Sequence, residues 1–188
     1  MGTYINYAIY AAVMCYMVYW VVWAARRRIS YEIYEACALA CFFSILFLSG
    51  WKAGADMLPL TIAGFVLYVP AILFVAAAFV NLRRKGKPKG AWEETTAMID
   101  SGVFRIARHP LYLGTAIWAV GVMLVFQSIL SVVLGAATVF CCWRASREED
   151  RFNVSKFGDE YESYMGKVPM WNFVKGAWNL RKRSGGEN

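Results

Sequence analysis

The stretch LYLGTAIWAVGVMLVFQSILSVVLGAATVFCCW, residues 111–143, decides how this chain folds. Two uncharged apolar runs, Leu111 to Phe126 and Ile129 to Trp143, are separated only by Gln127 and Ser128. Each holds about 15 residues, whereas an upright membrane helix needs roughly 20. The pair therefore reads as a short helical hairpin that enters and leaves on one side, either tilted or not fully crossing. Both of its ends then face one compartment.

Upstream, the same apolar character continues. Ile5 to Ala25 is uncharged and runs through Tyr19, Trp20 and Trp23 into Arg26, Arg27 and Arg28; Ile33 to Trp51 carries only Glu35. Met57 to Leu82 has no charge and contains Pro59 and Pro70, which a spanning helix tolerates where neighbours satisfy the freed carbonyls. With 59% hydrophobic and 18% charged residues, the chain is too apolar for an ordinary soluble domain of its length. The expectation is an all-α integral membrane protein of five transmembrane helices, the last two being the hairpin, followed by a cytoplasmic helical region.

Orientation follows from the basic residues, which concentrate on cytoplasmic flanks. Three arginines follow the first span, seven basic residues lie between 83 and 110, nine lie from 144 onward, and Lys52 stands alone on the other side. This places the N-terminus outside or in a lumen and the C-terminus in the cytoplasm, at a plasma membrane or an endoplasmic reticulum. The same bias accounts for the net charge of +7 and argues against nucleic acid as a partner. The first span should be retained, because its arginines follow the apolar core, whereas a signal peptide puts its charge before it. The cysteines at 15, 37, 41, 141 and 142 form no C-x-x-C pair and read as small polarizable packing residues.

Polar chemistry must then come from the cytoplasmic segments 26–32, 83–110 and 144–188. Gly102 reads as a turn, and Pro110 suits the first turn of the hairpin's leading helix, placing His109, the one histidine, at a helix N-terminus that attracts a carboxylate. Beyond the hairpin, Arg144 and Glu148 are four residues apart and share a helical face. Gly158 breaks that helix, and Asp159 opens a short one carrying Tyr161 and Tyr164. The tail, with Met170, Trp171, Phe173 and Trp178 among basic residues, looks interfacial. Each feature has a plainer reading: a membrane-edge histidine bonded to backbone, an arginine anchored on phosphates, a surface ion pair worth a few tenths of a kcal/mol. Their concentration at both ends of one short hairpin favours a site.

In SGVFRIARHPLYLG followed by REEDRFNVSKFGDEYESYMGKVP, the chain resembles the isoprenylcysteine carboxyl methyltransferase family and its phospholipid methyltransferase relatives. The pattern G-x-Y-R-x-x-R-H-P-x-Y-x-G, then R-x-x-x-E-E, then F-G-x-x-Y-x-x-Y and V-P, is met by Gly102, Arg105, Arg108, His109, Pro110, Tyr112 and Gly114, by Arg144, Glu148 and Glu149, and by Phe157, Gly158, Tyr161, Tyr164, Val168 and Pro169. The likeness covers about residues 85–170; the first three spans resemble the family only as spans. The apolar stretches make residues 1–82 three transmembrane helices, and the resemblance implies 83–188 as the cofactor-binding and catalytic region, with the hairpin at 111–143.

The resemblance further implies a membrane methyltransferase that takes its methyl group from S-adenosylmethionine and passes it to a lipophilic or prenylated acceptor, with membrane lipids as its surroundings. His109, Pro110, Leu111 and Tyr112 would line the cofactor site, with Met98 and Ile99 upstream and Phe104 where Tyr is usual. Glu148 would contact the cofactor and Arg144 face the acceptor, with Arg108 and Tyr161 as further substrate contacts. Counting back from Phe157 and Gly158 instead selects Glu149 and sets Ala145 at the arginine position; Arg144 with Glu148 is preferred because that pair shares a face.

The chemistry agrees. The cofactor's ammonium wants an acid, its carboxylate a helix N-terminus or a base, and its sulfonium an aromatic face. Methyl transfer to a carboxylate needs neither metal nor general base and depends on alignment and exclusion of water. Two other readings stand beside this one: a sterol-type reductase using a nicotinamide cofactor, and a non-catalytic lipid-binding membrane protein.

Overall fold

A computed structural model describes residues 2–48, 56–85 and 98–185. Among them are seven α-helices, one 3₁₀ turn and no strand. The helices are α1 (Gly2–Arg27), α2 (Ser30–Leu48), α3 (Leu58–Lys85), α4 (Pro110–Phe126), α5 (Ile129–Phe157), α6 (Asp159–Lys167) and α7 (Phe173–Gly185); the 3₁₀ turn is Gly102–Arg105. Lys52, the end of the second apolar stretch at 49–51 and the basic piece at 86–97 lie outside the described residues.

By length and composition, α1, α2, α3 and α5 can each cross a bilayer. The leading helix of the hairpin is shorter: α4 has 17 residues, a rise of about 25 Å, against a hydrocarbon core of about 30 Å. Pro70 sits inside α3 without ending it. Val18 and Tyr19 on α1, Phe65, Val66 and Val69 on α3, and Val132 and Val133 on α5 all face outward exposed. Such apolar faces are unusual on a water-soluble monomer and suit lipid.

The chain forms two compact units, one of Met1–Ala71 with Thr115–Glu149 and one of Ile72–Gly114 with Asp150–Asn188. In the first, α1 and α2 are joined by only two residues. Arg28 takes a left-handed φ of 59°, its N–H bonds to Ala25 O and that of Ile29 bonds to Ala24 O, so the last turn of α1 closes as a Schellman cap and the chain reverses. Trp20 Nε1 then donates to Glu32 Oε2 at 3.0 Å, and Tyr10 meets Ser44 at 3.0 Å. The core of this unit joins Phe42 and Ile45 of α2 to Ala119 and Val122 of α4, with Tyr68, Trp118, Phe126, Leu134 and Val139 around them.

Helices α3 and α4 cross at glycines. A Cβ on Gly64 would stand 2.6 Å from Gly121 O, the close backbone approach that small residues permit between membrane helices. The hairpin tip is equally specific. Gln127 has φ 47° and its side chain accepts from Met57 N while donating to Met57 O and to Thr61 Oγ1. Ser128 and Ser131 exchange reciprocal side-chain to backbone bonds at 3.1 Å, which caps α5.

The second unit gathers around Tyr161, Tyr164 and Val168, with Met98, Val154, Phe157 and Met165 packed on them. Gly158 (φ 59°) turns α5 into α6, as its place in the sequence predicts. Gly102, at φ 61°, abuts the Asn81 amide, which a Cβ would approach to 2.5 Å.

Candidate functional site

Helix α4 begins at Pro110, and the carbonyl of His109 accepts from Leu113 N at 3.0 Å, so His109 is the residue that opens the helix. The backbone N–H of Arg108 donates to Pro169 O and that of His109 to Met170 O. Tyr164 Oη donates to the carbonyl of Phe104 at 2.7 Å. The segment leading into α4 is thereby fastened to α6 and to the residues that follow it.

At the centre of this unit is the Asp150 carboxylate. Its Oδ1 accepts from His109 Nε2 at 2.7 Å, from Tyr161 Oη at 2.8 Å and from Arg108 Nε at 3.2 Å, and its Oδ2 accepts from Arg108 Nη2 at 2.8 Å. A carboxylate can only accept, so in neutral His109 the ring hydrogen sits on Nε2. Arg108 Nη1 donates further to Met165 O and Val168 O. Burial opposes ionisation of Asp150, but the hydrogen bonds and charges of His109 and Arg108 together outweigh it and hold the carboxyl well below the usual carboxylate range. The imidazole of His109 is buried and stacks on Tyr112 at 5.8 Å between ring centres.

Of the residues singled out in the sequence, this unit therefore brings Arg108, His109, Tyr112 and Tyr161 together, with Met98 on the Tyr161 and Tyr164 core and Phe104 held through its carbonyl. Pro110 is fully buried, and Ile99 and Leu111 are half-buried beside them.

The first unit holds the other set. Arg144 Nη2 donates to Glu148 Oε1 at 2.8 Å, the pairing expected of i,i+4 positions on one helix. The guanidinium also lies over the Tyr34 ring, 5.2 Å from its centre, with Nη2 3.5 Å from the phenol oxygen. The side chain of Glu148 is 12% exposed and that of Arg144 28%, so this pair is more sheltered than a surface ion pair. Glu149, next along α5, is half-buried.

Sequence reading missed two members, Asp150 and Tyr34. A usable signal existed for Asp150: a histidine held at a helix start needs an orienting acceptor, and Asp150 completes the acidic run Glu148, Glu149, Asp150. For Tyr34, an aromatic in the first turns of a span, the sequence holds no comparable signal.

The helices and their lipid-facing sides define an all-helical membrane protein, with buried polar clusters set at the ends of apolar helices. The phospholipid methyltransferase family model matches residues 60–160, and the chain belongs to that family. It is similar to the protein-S-isoprenylcysteine O-methyltransferase B of Arabidopsis thaliana, 30% identical over 142 residues that cover 73% of this chain and 68% of that protein. It is also similar to the protein-S-isoprenylcysteine O-methyltransferases of Rattus norvegicus, at 29% identity over 68% of this chain, and Schizosaccharomyces pombe, at 36% over 38%. The matches span 43% of the rat protein and 31% of the yeast one. No solved structure matches the chain.

Proposed function

We propose that this protein transfers a methyl group from S-adenosylmethionine to the carboxylate of a lipophilic, isoprenylcysteine-like acceptor at a membrane. The names of the relatives support the activity, and the family supports the methyl donor. The observation that carries the reading is the sheltered Arg144–Glu148 pair: a cation and an acid held side by side, each suited to one ionic end of the two reactants. When bound, the cofactor supplies an electrophilic methyl on a sulfonium.

Each unit, taken by itself, holds groups of the kinds that this cofactor needs. Glu148 offers a carboxylate for its ammonium, Tyr112 and His109 offer aromatic surface for the sulfonium, and the start of α4 presents a helix N-terminus for its carboxylate. Met98, Ile99, Phe104, Pro110 and Leu111 serve as its apolar lining, with Glu149 next to the acid. Arg144 turns from Glu148 to the acceptor's carboxylate and orients it. The region 83–188 serves as the cofactor-binding and catalytic part. For Arg108 and Tyr161 the geometry supports a framing role, since both reach Asp150 and so hold His109 in place.

No general base is required, because a carboxylate acceptor is already ionised at neutral pH. Rate enhancement then rests on alignment and on keeping water away. The family description favours a second acceptor class, the amine of a phospholipid headgroup, although Arg144 disfavours a cationic acceptor.

Radiolabelled methyl transfer by the purified protein into a prenylcysteine analogue and into a total lipid extract tests the reading. Label in the analogue, lost in Glu148→Ala and Arg144→Ala, is expected. Absence of both transfer and S-adenosylhomocysteine binding would sink the proposal, and label in lipid alone would move the acceptor to the second class.

A further inference from the structure

Helix α7 presents two different sides. One is packed: Gly176 is buried, a Cβ there would stand 1.7 Å from the Ile106 carbonyl oxygen, and Asn179 Nδ2 donates to Lys167 O. Asn172 caps the helix, its Oδ1 accepting from Lys175 N at 2.9 Å. On the other side Val174 and Trp178, one turn apart, are 66% and 59% exposed. Lys175, Arg181 and Lys182 are exposed beside them, with the Lys182 ammonium 5.6 Å from the Trp178 ring centre. The helix has four basic residues and no acidic one.

Its depth is set within the same unit. The Phe173 ring packs on Phe74 of α3 at 5.5 Å, and Phe74 lies nine residues before Arg83, a rise of about 14 Å. At 28 residues α3 is about 42 Å long, more than a hydrocarbon core of about 30 Å, so its cationic end, with the Arg83 guanidinium over Phe79 at 5.2 Å, reaches past the core into the headgroups. The first turn of α7 is thus fixed beside the apolar stretch of α3 that leads up to those arginines.

We propose that α7 lies in the membrane–water interface, with Val174 and Trp178 among the upper acyl chains, and that Lys175, Arg181 and Lys182 bind the anionic headgroups of that bilayer. An apolar stripe edged by cations with no acid is complementary to such a surface. Because α7 leans on Ile106, three residues before His109, this contact also holds the segment that leads into α4. The proposal depends on the membrane reading of α3 and is independent of methyl transfer.

The full chain is reconstituted in nanodiscs of phosphatidylcholine alone or with phosphatidylglycerol in equal parts, and hydrogen exchange is followed in peptides covering 173–185. Exchange about tenfold slower in the anionic discs is expected, and the difference should vanish in high salt and in the Lys175→Glu, Arg181→Glu, Lys182→Glu variant. Equal exchange in both discs overturns the proposal, as does a difference that survives high salt. The salt arm uses the unaltered protein, so the test stands if the variant fails to fold. Neither cofactor nor acceptor is present, so a negative result leaves the methyl-transfer reading standing.

Discussion

Replacing Asp150 with Asn keeps the shape of the side chain and removes its charge. In the intact protein this carboxylate accepts four hydrogen bonds, two from Arg108 and one each from His109 and Tyr161. The Arg108 and Asp150 side chains are only 10% and 9% exposed, so water cannot readily take over. Breaking a buried pair by removing one partner costs about 3–5 kcal/mol. Asparagine retains one carbonyl, which places the expected loss at about 3 kcal/mol, and its new N–H₂ must face donors whichever way it turns. For a chain of this length that corresponds to a fall in unfolding temperature of roughly 6–12 °C, read by thermal unfolding of the purified protein in detergent. The pH dependence adds a second readout. A carboxyl held below its unfolded value contributes stability in full above about pH 5 and loses it as pH falls. The unaltered protein should therefore lose stability on acidification through the carboxylate range, while Asp150→Asn lacks that part of the decline and the two converge. A loss under about 1 kcal/mol at neutral pH, with parallel acid profiles, would refute the reasoning.

Three other outcomes follow from the geometry. Arg144→Lys keeps the charge but loses the planar fork, so acceptor KM should rise about tenfold while calorimetric binding of S-adenosylhomocysteine changes less than about twofold. Tyr34→Phe keeps the ring under the guanidinium and removes a long 3.5 Å contact; steady-state kinetics should show acceptor KM within about threefold of the parent, whereas Tyr34→Ala, which removes the cation–π contact, costs more. Gly176→Val forces a side chain into the Ile106 carbonyl and should cost about 1–3 kcal/mol, with protease cleavage appearing within 173–185 before any change elsewhere.

The backbone of this protein was legible where chemistry is local. The polar interruption at Gln127 and Ser128, the proline at 110 and the glycine at 158 mark helix ends through backbone rules that act over a few residues, and α4, α5 and α6 begin or end there. The ion pair of Arg144 and Glu148 was legible for the same reason, since helical spacing alone brings the two together. Asp150 was not. Two residues beyond Glu148, it stands about 200° further round a helix, so a reading tuned to the Arg144 face passes over it. Its partners come from positions 108, 109 and 161, so the acidic run offers an acceptor without saying which distant residues it serves. The number of crossings was hard to read for a different reason: α4 lies at the length where composition no longer distinguishes a tilted span from a partial one.

Gln127 bears on how the protein is assembled. Its neutral amide ties the tip of the hairpin to both backbone groups of Met57 and to the Thr61 hydroxyl at the start of α3, and it does so without bringing a charge that would need its own counter-ion. Since α3 precedes the hairpin in the chain, the anchoring groups are synthesised before the amide that seeks them. A hairpin expressed without α3 would enter the bilayer with that amide unmatched, so co-expression of 1–85 with the remainder should restore what either fragment lacks.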